Sequence, residues 1–271
     1  MGSAPIHTET PQQKSILDFV SPTEFVELPS KGLAYSEDHP LHGQDVIEIR
    51  FMTAKDEDIL TSETLLKKGI ALERLLENII VNKAIDPKTM LIGDRNAVII
   101  AARASGYGNA YETKVNCPSC GTGAAMAFDL SKPKIQELNY EDAEFLTKNE
   151  AGNFIIKLPQ TNFGVEVRLL TGKDEQYLTQ LAQSKKKNKL GDSVMTDQYK
   201  MMIVSVEGVT DKSTLGKFIE AMPAADSRFL RKAYKTIIPN IRITEDFSCT
   251  SCGHEQELEV SFGADFFWPD S

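Results

Sequence analysis

Two stretches of this 271-residue chain read as copies of one another: IEIRFMTAKDEDILTS at 47–62 and VEVRLLTGKDEQYLTQ at 165–180. Eight of the sixteen positions are identical, where typical residue frequencies give about one. Most of the differences are conservative, as at Ile47/Val165 and Phe51/Leu169. The copies keep step outside this window. Each opens on an apolar run ending in Leu-Pro, FVELP at 25–29 and FIIKLP at 154–159, and each closes on a Cys-x-x-Cys pair. Asp94 and Asp226 both lie 23 residues before the first cysteine of their pair. A longer loop after Leu-Pro in the first copy and extra residues around a lysine run in the second reconcile the registers. The reading is a duplication, with repeats at 23–131 and 132–263 between an N-terminal arm, 1–22, and an aromatic tail, 264–271.

The chain has four cysteines, all in those two pairs: Cys117 with Cys120, and Cys249 with Cys252. Two thiols three positions apart on a tight turn can face one ion, and two such turns complete a tetrahedral shell. Gly121 and Gly253 follow the pairs and supply the permissive backbone such a knuckle uses. A disulfide framework belongs to small exported domains, and the N-terminus has neither the basic start nor the apolar middle of a signal peptide. A redox Cys-x-x-Cys would open a helix, yet alternating sequence follows each pair, with Met126, Phe128 and Leu130 in one and Leu258, Val260 and Phe262 in the other. The expectation is one structural Zn2+ on Cys117, Cys120, Cys249 and Cys252, closed to catalysis by its four thiolates. An iron–sulfur cluster remains open on spacing alone. His254 is expected beside the site as a hydrogen-bond donor to it.

Each copy predicts the same elements. VIEIRF and VEVRLL alternate as strands. Thr53 with Asp56, and Thr171 with Asp174, fit the N-cap and third position of a helix. A helical stripe runs through Ile70, Leu72, Leu75, Leu76, Ile79 and Ile80, with a counterpart through Tyr199, Met202, Ile203 and Val206. A further helix spans about 93–105 and 225–237, and the strand–knuckle–strand hairpin follows. The fold class is therefore α+β, with duplicated units facing one another across a pseudo-twofold and joined at one four-cysteine zinc site.

The net charge of −9 opposes sequence-independent nucleic-acid binding, which draws on basic surface. Lys185, Lys186, Lys187 and Lys189 form one basic run, expected as a solvated loop. No apolar stretch reaches the length of a membrane span, so the expected place of synthesis is a host cytoplasm. Phe266, Phe267 and Trp268 close the chain and are expected to pack on the protein's own sheet, a docking tail being the other reading. His39 and His42 lie in a loop expected to be polar surface. The sequence holds no P-loop, GxGxxG, GxSxG or HExxH pattern, and no small-molecule substrate or enzyme activity is expected.

The stretches ELPSKGLAYSEDHPLHGQDVIEIRFMTAKDEDILTSETLLKKG and LIGDRNAVIIAARASGYGNAYETKVNCPSCG resemble the baseplate-hub protein family of T4-like contractile-tailed bacteriophages. The resemblance covers about residues 24–263 and is carried by LPSKG, MTAKDEDIL, IGDRNA and the first knuckle. It implies a structural or assembly component of the virion tail baseplate, acting through contacts with other tail and baseplate proteins. Two other classes are weighed beside it: a zinc-ribbon nucleic-acid-binding or regulatory protein, opposed by the acidic charge, and a metal-dependent enzyme, opposed by closed four-cysteine ligation.

Overall fold

A computed structural model of the chain describes residues 21–138, 145–149, 152–188, 191, 193–263 and 266–268. The expected N-terminal arm therefore lies outside the described residues except at 21–22, as do Lys189 and Pro269.

In the first half, β1 (Thr23–Glu27) and β2 (Val46–Arg50) pair antiparallel, Val26 opposite Ile47. Their alternation sends Val26, Ile47 and Ile49 inward and leaves Phe25 outside. Helix α1 (Ala54–Thr61) follows the Thr53 cap, then α2 (Glu63–Lys68), which Gly69 ends at φ 68°. Helix α3 (Ala71–Ile79) buries Leu75, Leu76 and Ile79 completely. The helical stripe ends there, because Ile80 turns extended and bridges Ile49 on β2. Helix α4 (Ile92–Tyr107), the hairpin of β3 (Ala110–Asn116) and β4 (Gly123–Asp129), and the short β5 (Lys134–Gln136) complete this half.

The second half opens with a four-stranded sheet in the order β6 (Leu146–Lys148), β7 (Phe154–Lys157), β8 (Gly164–Val167) and β9 (Ile203–Val206), all antiparallel. Between β8 and β9 run α5 (Gly172–Lys187) and α6 (Val194–Met202). Ile203 and Val206, expected on a helix, are therefore strand residues. The run Ile-Val-Ser-Val is rich in β-branched residues and pairs with β8. Lys185–Lys187, expected in a loop, form the last turn of α5, where cations meet the negative end of the helix dipole. Helices α7 (Lys212–Ala221) and α8 (Ala224–Ile237), strand β10 (Asn240–Arg242) and the hairpin of β11 (Thr244–Ser248) and β12 (Glu255–Glu259) follow. The molecule is α+β.

Two hydrophobic cores result. One lies among β1, β2, α3 and α4 and also takes in Ile241, Ile243, Val260, Phe266 and Phe267 from the far end of the chain. The other lies among β7, β8, β9 and α8. Several contacts join the halves. Strand β5 pairs with β10, Leu91 bridges Thr171, and the Gly172 amide donates to the Met90 carbonyl at 2.9 Å. Gly93, in the first turn of α4, lies so close to β10 that a Cβ there would sit 2.1 Å from the Pro239 carbonyl oxygen.

The terminal aromatics pack inward, as the first of their two readings held. Phe266 and Phe267 are 0% and 1% exposed, and the Arg103 guanidinium lies 4.8 Å over the Tyr107 ring while its Nε donates to the Phe266 carbonyl. His39 stacks on Tyr35 at 4.3 Å, and the ring nitrogens of His39 and His42 are engaged by Thr89 and the Tyr35 carbonyl.

Candidate metal centre

Both cysteine pairs sit at hairpin tips with the same backbone turn. In the first, the Cys117 amide donates to the Thr122 carbonyl at 2.9 Å and the Gly121 amide to the Cys117 carbonyl at 2.9 Å. In the second, the Cys249 amide donates to the His254 carbonyl at 2.9 Å and the Gly253 amide to the Cys249 carbonyl at 2.8 Å. The turns close only with positive φ after the second cysteine, and Gly121 and Gly253 supply 76° and 69°.

The tips meet. All four sulfurs lie within 4.8 Å of one another, with Cys117 Sγ 3.7 Å from Cys252 Sγ and Cys120 Sγ 3.7 Å from Cys249 Sγ. The first cysteine of each pair is buried and the second exposed. Sulfurs bound at ~2.3 Å around a tetrahedral ion stand about 3.8 Å apart, so the donor set has the size such an ion needs. It is too open for disulfides, whose sulfurs approach to about 2.05 Å. Phe247, Val115, Ala124, Met126 and Leu258 pack around the two buried sulfurs.

Two of the thiols are unequally poised to ionise. Thr122 favours the Cys120 thiolate and brings that thiol down to about 6. At Cys252 the His254 amide also favours the thiolate, but Cys120 and burial outweigh it and raise the thiol to about 12. A divalent cation bonded to each sulfur would favour the thiolate at every position. The His254 side chain does not take the expected part; its Nε2 meets Gln256 Oε1 at 3.2 Å, and only its backbone serves the knuckle. Among the described residues, this is the one group of three or more His, Cys, Asp or Glu side chains whose ligand atoms converge.

Two other sets of polar residues recur in both halves and fix helix N-termini. Arg50 meets Asp56 through two bonds, 2.6 and 2.9 Å, and Arg168 meets Asp174 at 2.7 and 2.8 Å. The same carboxylates take the amide and hydroxyl of Thr53 and Thr171. The caps were expected, but the arginine forks were not. Their signal was an arginine three residues before the capping threonine in both stretches. Asp94, at the start of α4, accepts from the Ser30 amide and hydroxyl and the Tyr35 hydroxyl. Asp226, at the start of α8, accepts from the Gln160 and Thr161 amides. Each thus fastens a helix N-terminus to the turn that follows Leu-Pro. Glu57, beside Asp56, accepts from the Tyr107 hydroxyl at 2.8 Å.

A family model described as T4 bacteriophage base plate protein matches residues 23–268, nearly the whole chain. The chain belongs to that family. No curated protein and no solved structure matches it. This base plate protein is accordingly a structural component of the phage virion tail, and its partners are other tail proteins. Among its described residues no helix is long and apolar enough to cross a membrane.

Proposed function

We propose that this base plate protein is a zinc-clasped, internally duplicated module of the baseplate hub, acting through protein–protein contacts. The observation that carries the proposal is the reciprocal meeting of the sulfurs. The buried cysteine of each knuckle faces the exposed cysteine of the other at the same 3.7 Å. A twofold axis through one ion relates two copied hairpins in just this crossed manner. Four thiolates select zinc among common divalent ions and leave it no open position, so its role is structural.

The chain leaving each knuckle supports the same reading. After the first, the Gln136 side chain crosses to the last turn of α8 and donates to the Lys235 and Ile238 carbonyls. After the second, the chain crosses to α4, where Arg103 holds the Phe266 carbonyl. The sequence repeats, 23–131 and 132–263, are thus laced together rather than packed as separate bodies. A rigid, closed module of this kind suits a hub, whose parts must hold fixed geometry while joining neighbours. Glu255, Glu257 and Glu259, exposed beside the second knuckle, oppose the nucleic-acid alternative.

Elemental analysis of the purified protein tests the clasp: one zinc per chain is expected, and iron with acid-labile sulfide would replace zinc with a cluster. Quantitative mass spectrometry of purified virions tests the hub. Stoichiometric presence is expected, and absence from finished particles would overturn a permanent structural role in favour of an assembly factor.

A further inference from the structure

The second half carries a feature with no counterpart in the first. Helices α5, α6 and α7, with β9 at its floor, line a groove of about 820 Å³, within the size range of ligand-binding clefts. Tyr177, Leu181, Met201, Val204, Leu215 and Ile219 give it an apolar floor and wall. In the first half, residues 80–91 contain no helix between α3 and α4, whereas α7 occupies that place in the second.

The groove's long wall is short of internal support. Helix α5 runs sixteen residues, yet it buries only Gly172 and Asp174, both in its first turn. Packing of an apolar face is what usually stabilises a helix in a protein; here Leu178 packs on the second core, while Tyr177 and Leu181 border the open groove. Tyr177, on this wall, is 52% exposed, and a half-exposed tyrosine beside a groove is a typical interface anchor.

Charge selects the occupant. Lys200, Lys212 and Lys217 stand on the rim against Asp197 and Glu220. Asp197 is already held by Lys185 at 2.5 Å, and Glu220 meets Lys200 at 3.4 Å. Exposed Lys212 and Lys217 therefore set the sign of the rim, on a chain whose net charge is −9. We propose that this groove docks an amphipathic helix of another tail protein, its apolar face on Tyr177 and Leu215 and its flanking carboxylates on Lys212 and Lys217. The inference rests on the protein's acting through contacts with tail proteins, but needs neither the zinc nor the duplication.

Photo-cross-linking in assembling tails of the phage tests it, using full-length protein with benzoylphenylalanine in place of Tyr177, and a control with it in place of Phe25, which is 69% exposed on β1. The expected adduct from position 177 is a peptide of a different tail protein, with apolar residues at helical spacing flanked by Asp or Glu. Its yield should fall at least about tenfold in the Lys212→Glu/Lys217→Glu double variant, whose circular dichroism melt should match the unaltered protein. An adduct with a second copy of this chain or with nucleic acid overturns the proposal, as does a yield indifferent to charge reversal. Tail adducts from position 25 with none from 177 overturn the groove while leaving the base plate reading intact. A protein that forms no adduct at either position and never enters particles overturns both.

Discussion

At the scale of single residues, the crossed sulfur pairs make every cysteine equally necessary to a four-coordinate ion, whatever its exposure. Cys120→Ser and Cys252→Ser, at exposed positions, should therefore lower bound zinc as much as Cys117→Ser does, measured as metal per chain after dialysis. Retention of full zinc by either exposed-site variant would contradict a closed shell of four thiolates. The arginine forks give a second residue-scale prediction. Burial pushes the Asp56 carboxyl up, but Arg50 and Thr53 outweigh it and hold it below its ordinary 3.8; Arg168 and Thr171 do the same at Asp174. A depressed folded pKa stabilises above the unfolded value and is lost as pH falls through the folded value. Both pairs should therefore contribute fully above about pH 5 and fail as pH falls below 3.8. Asp94 runs the other way, since burial raises it above 3.8 despite its bonds from Ser30 and Tyr35; its contribution is present below the unfolded value and lost as pH rises through the folded one. Asp56→Asn should cost about 3 kcal/mol at pH 7, because it leaves Arg50 facing an uncharged partner, and less at a pH below 3.8. A cost in urea titrations that stayed equal at both pH values would remove the ion pair as its cause.

Among the elements, the prediction concerns two glycines of one helix. A Cβ at Gly93 would meet the Pro239 backbone at 2.1 Å, while at Gly106 its nearest contact is Met52 Sδ at 3.8 Å. Gly93→Ala should then cost about 2 kcal/mol by forcing α4 away from β10. Gly106→Ala should stabilise by about 0.5–1 kcal/mol through helix propensity alone. Equal effects of the two in denaturant titration would mean that α4 does not pack on β10 as described. The contrast also marks how much could be read beforehand. The strands at 46–50 and 164–167, the caps at Thr53 and Thr171, and the helices starting near 92 and 224 were legible because local periodicity and capping chemistry dictate them. The four cysteines were legible as one candidate site because few arrangements use two Cys-x-x-Cys pairs. The strand at Ile203–Val206 was not, since an apolar run after a helix keeps helical spacing by chance, and only pairing with Val165–Val167 decides against it. The lysine run was misread as loop because charge alone does not distinguish a solvated helix end from a turn. Neither the β5–β10 pairing nor the crossing of Phe266 to Arg103 leaves any local trace; both are long-range pairings of short segments.

For the whole molecule, the two cores differ in how directly they depend on the clasp. The first includes Tyr111, Phe128, Ile243 and Val260, which lie on or beside the knuckle hairpins, as well as Phe266 and Phe267 beyond the second one. The second includes no residue of either hairpin. Binding at a four-thiolate zinc site contributes on the order of 10–16 kcal/mol in small zinc domains, against a total stability of about 5–15 kcal/mol for a typical domain. Removing the ion should therefore release the hairpins and the first core together, while the sheet β7–β8–β9 with α8 persists. The measurement is hydrogen exchange before and after treatment with a strong chelator, with metal loss verified by mass. Amides of β3, β4, β11, β12 and α4 should lose protection first, and those of Phe154–Lys157 and Leu230–Ile237 should keep it. On the proposed reading, in which the ion couples the two cores, thermal unfolding should then show two transitions in place of one. An unchanged melt in verified metal-free protein would show that β5–β10 pairing and the crossing segments suffice to hold the halves, and that the ion adds no stability to them.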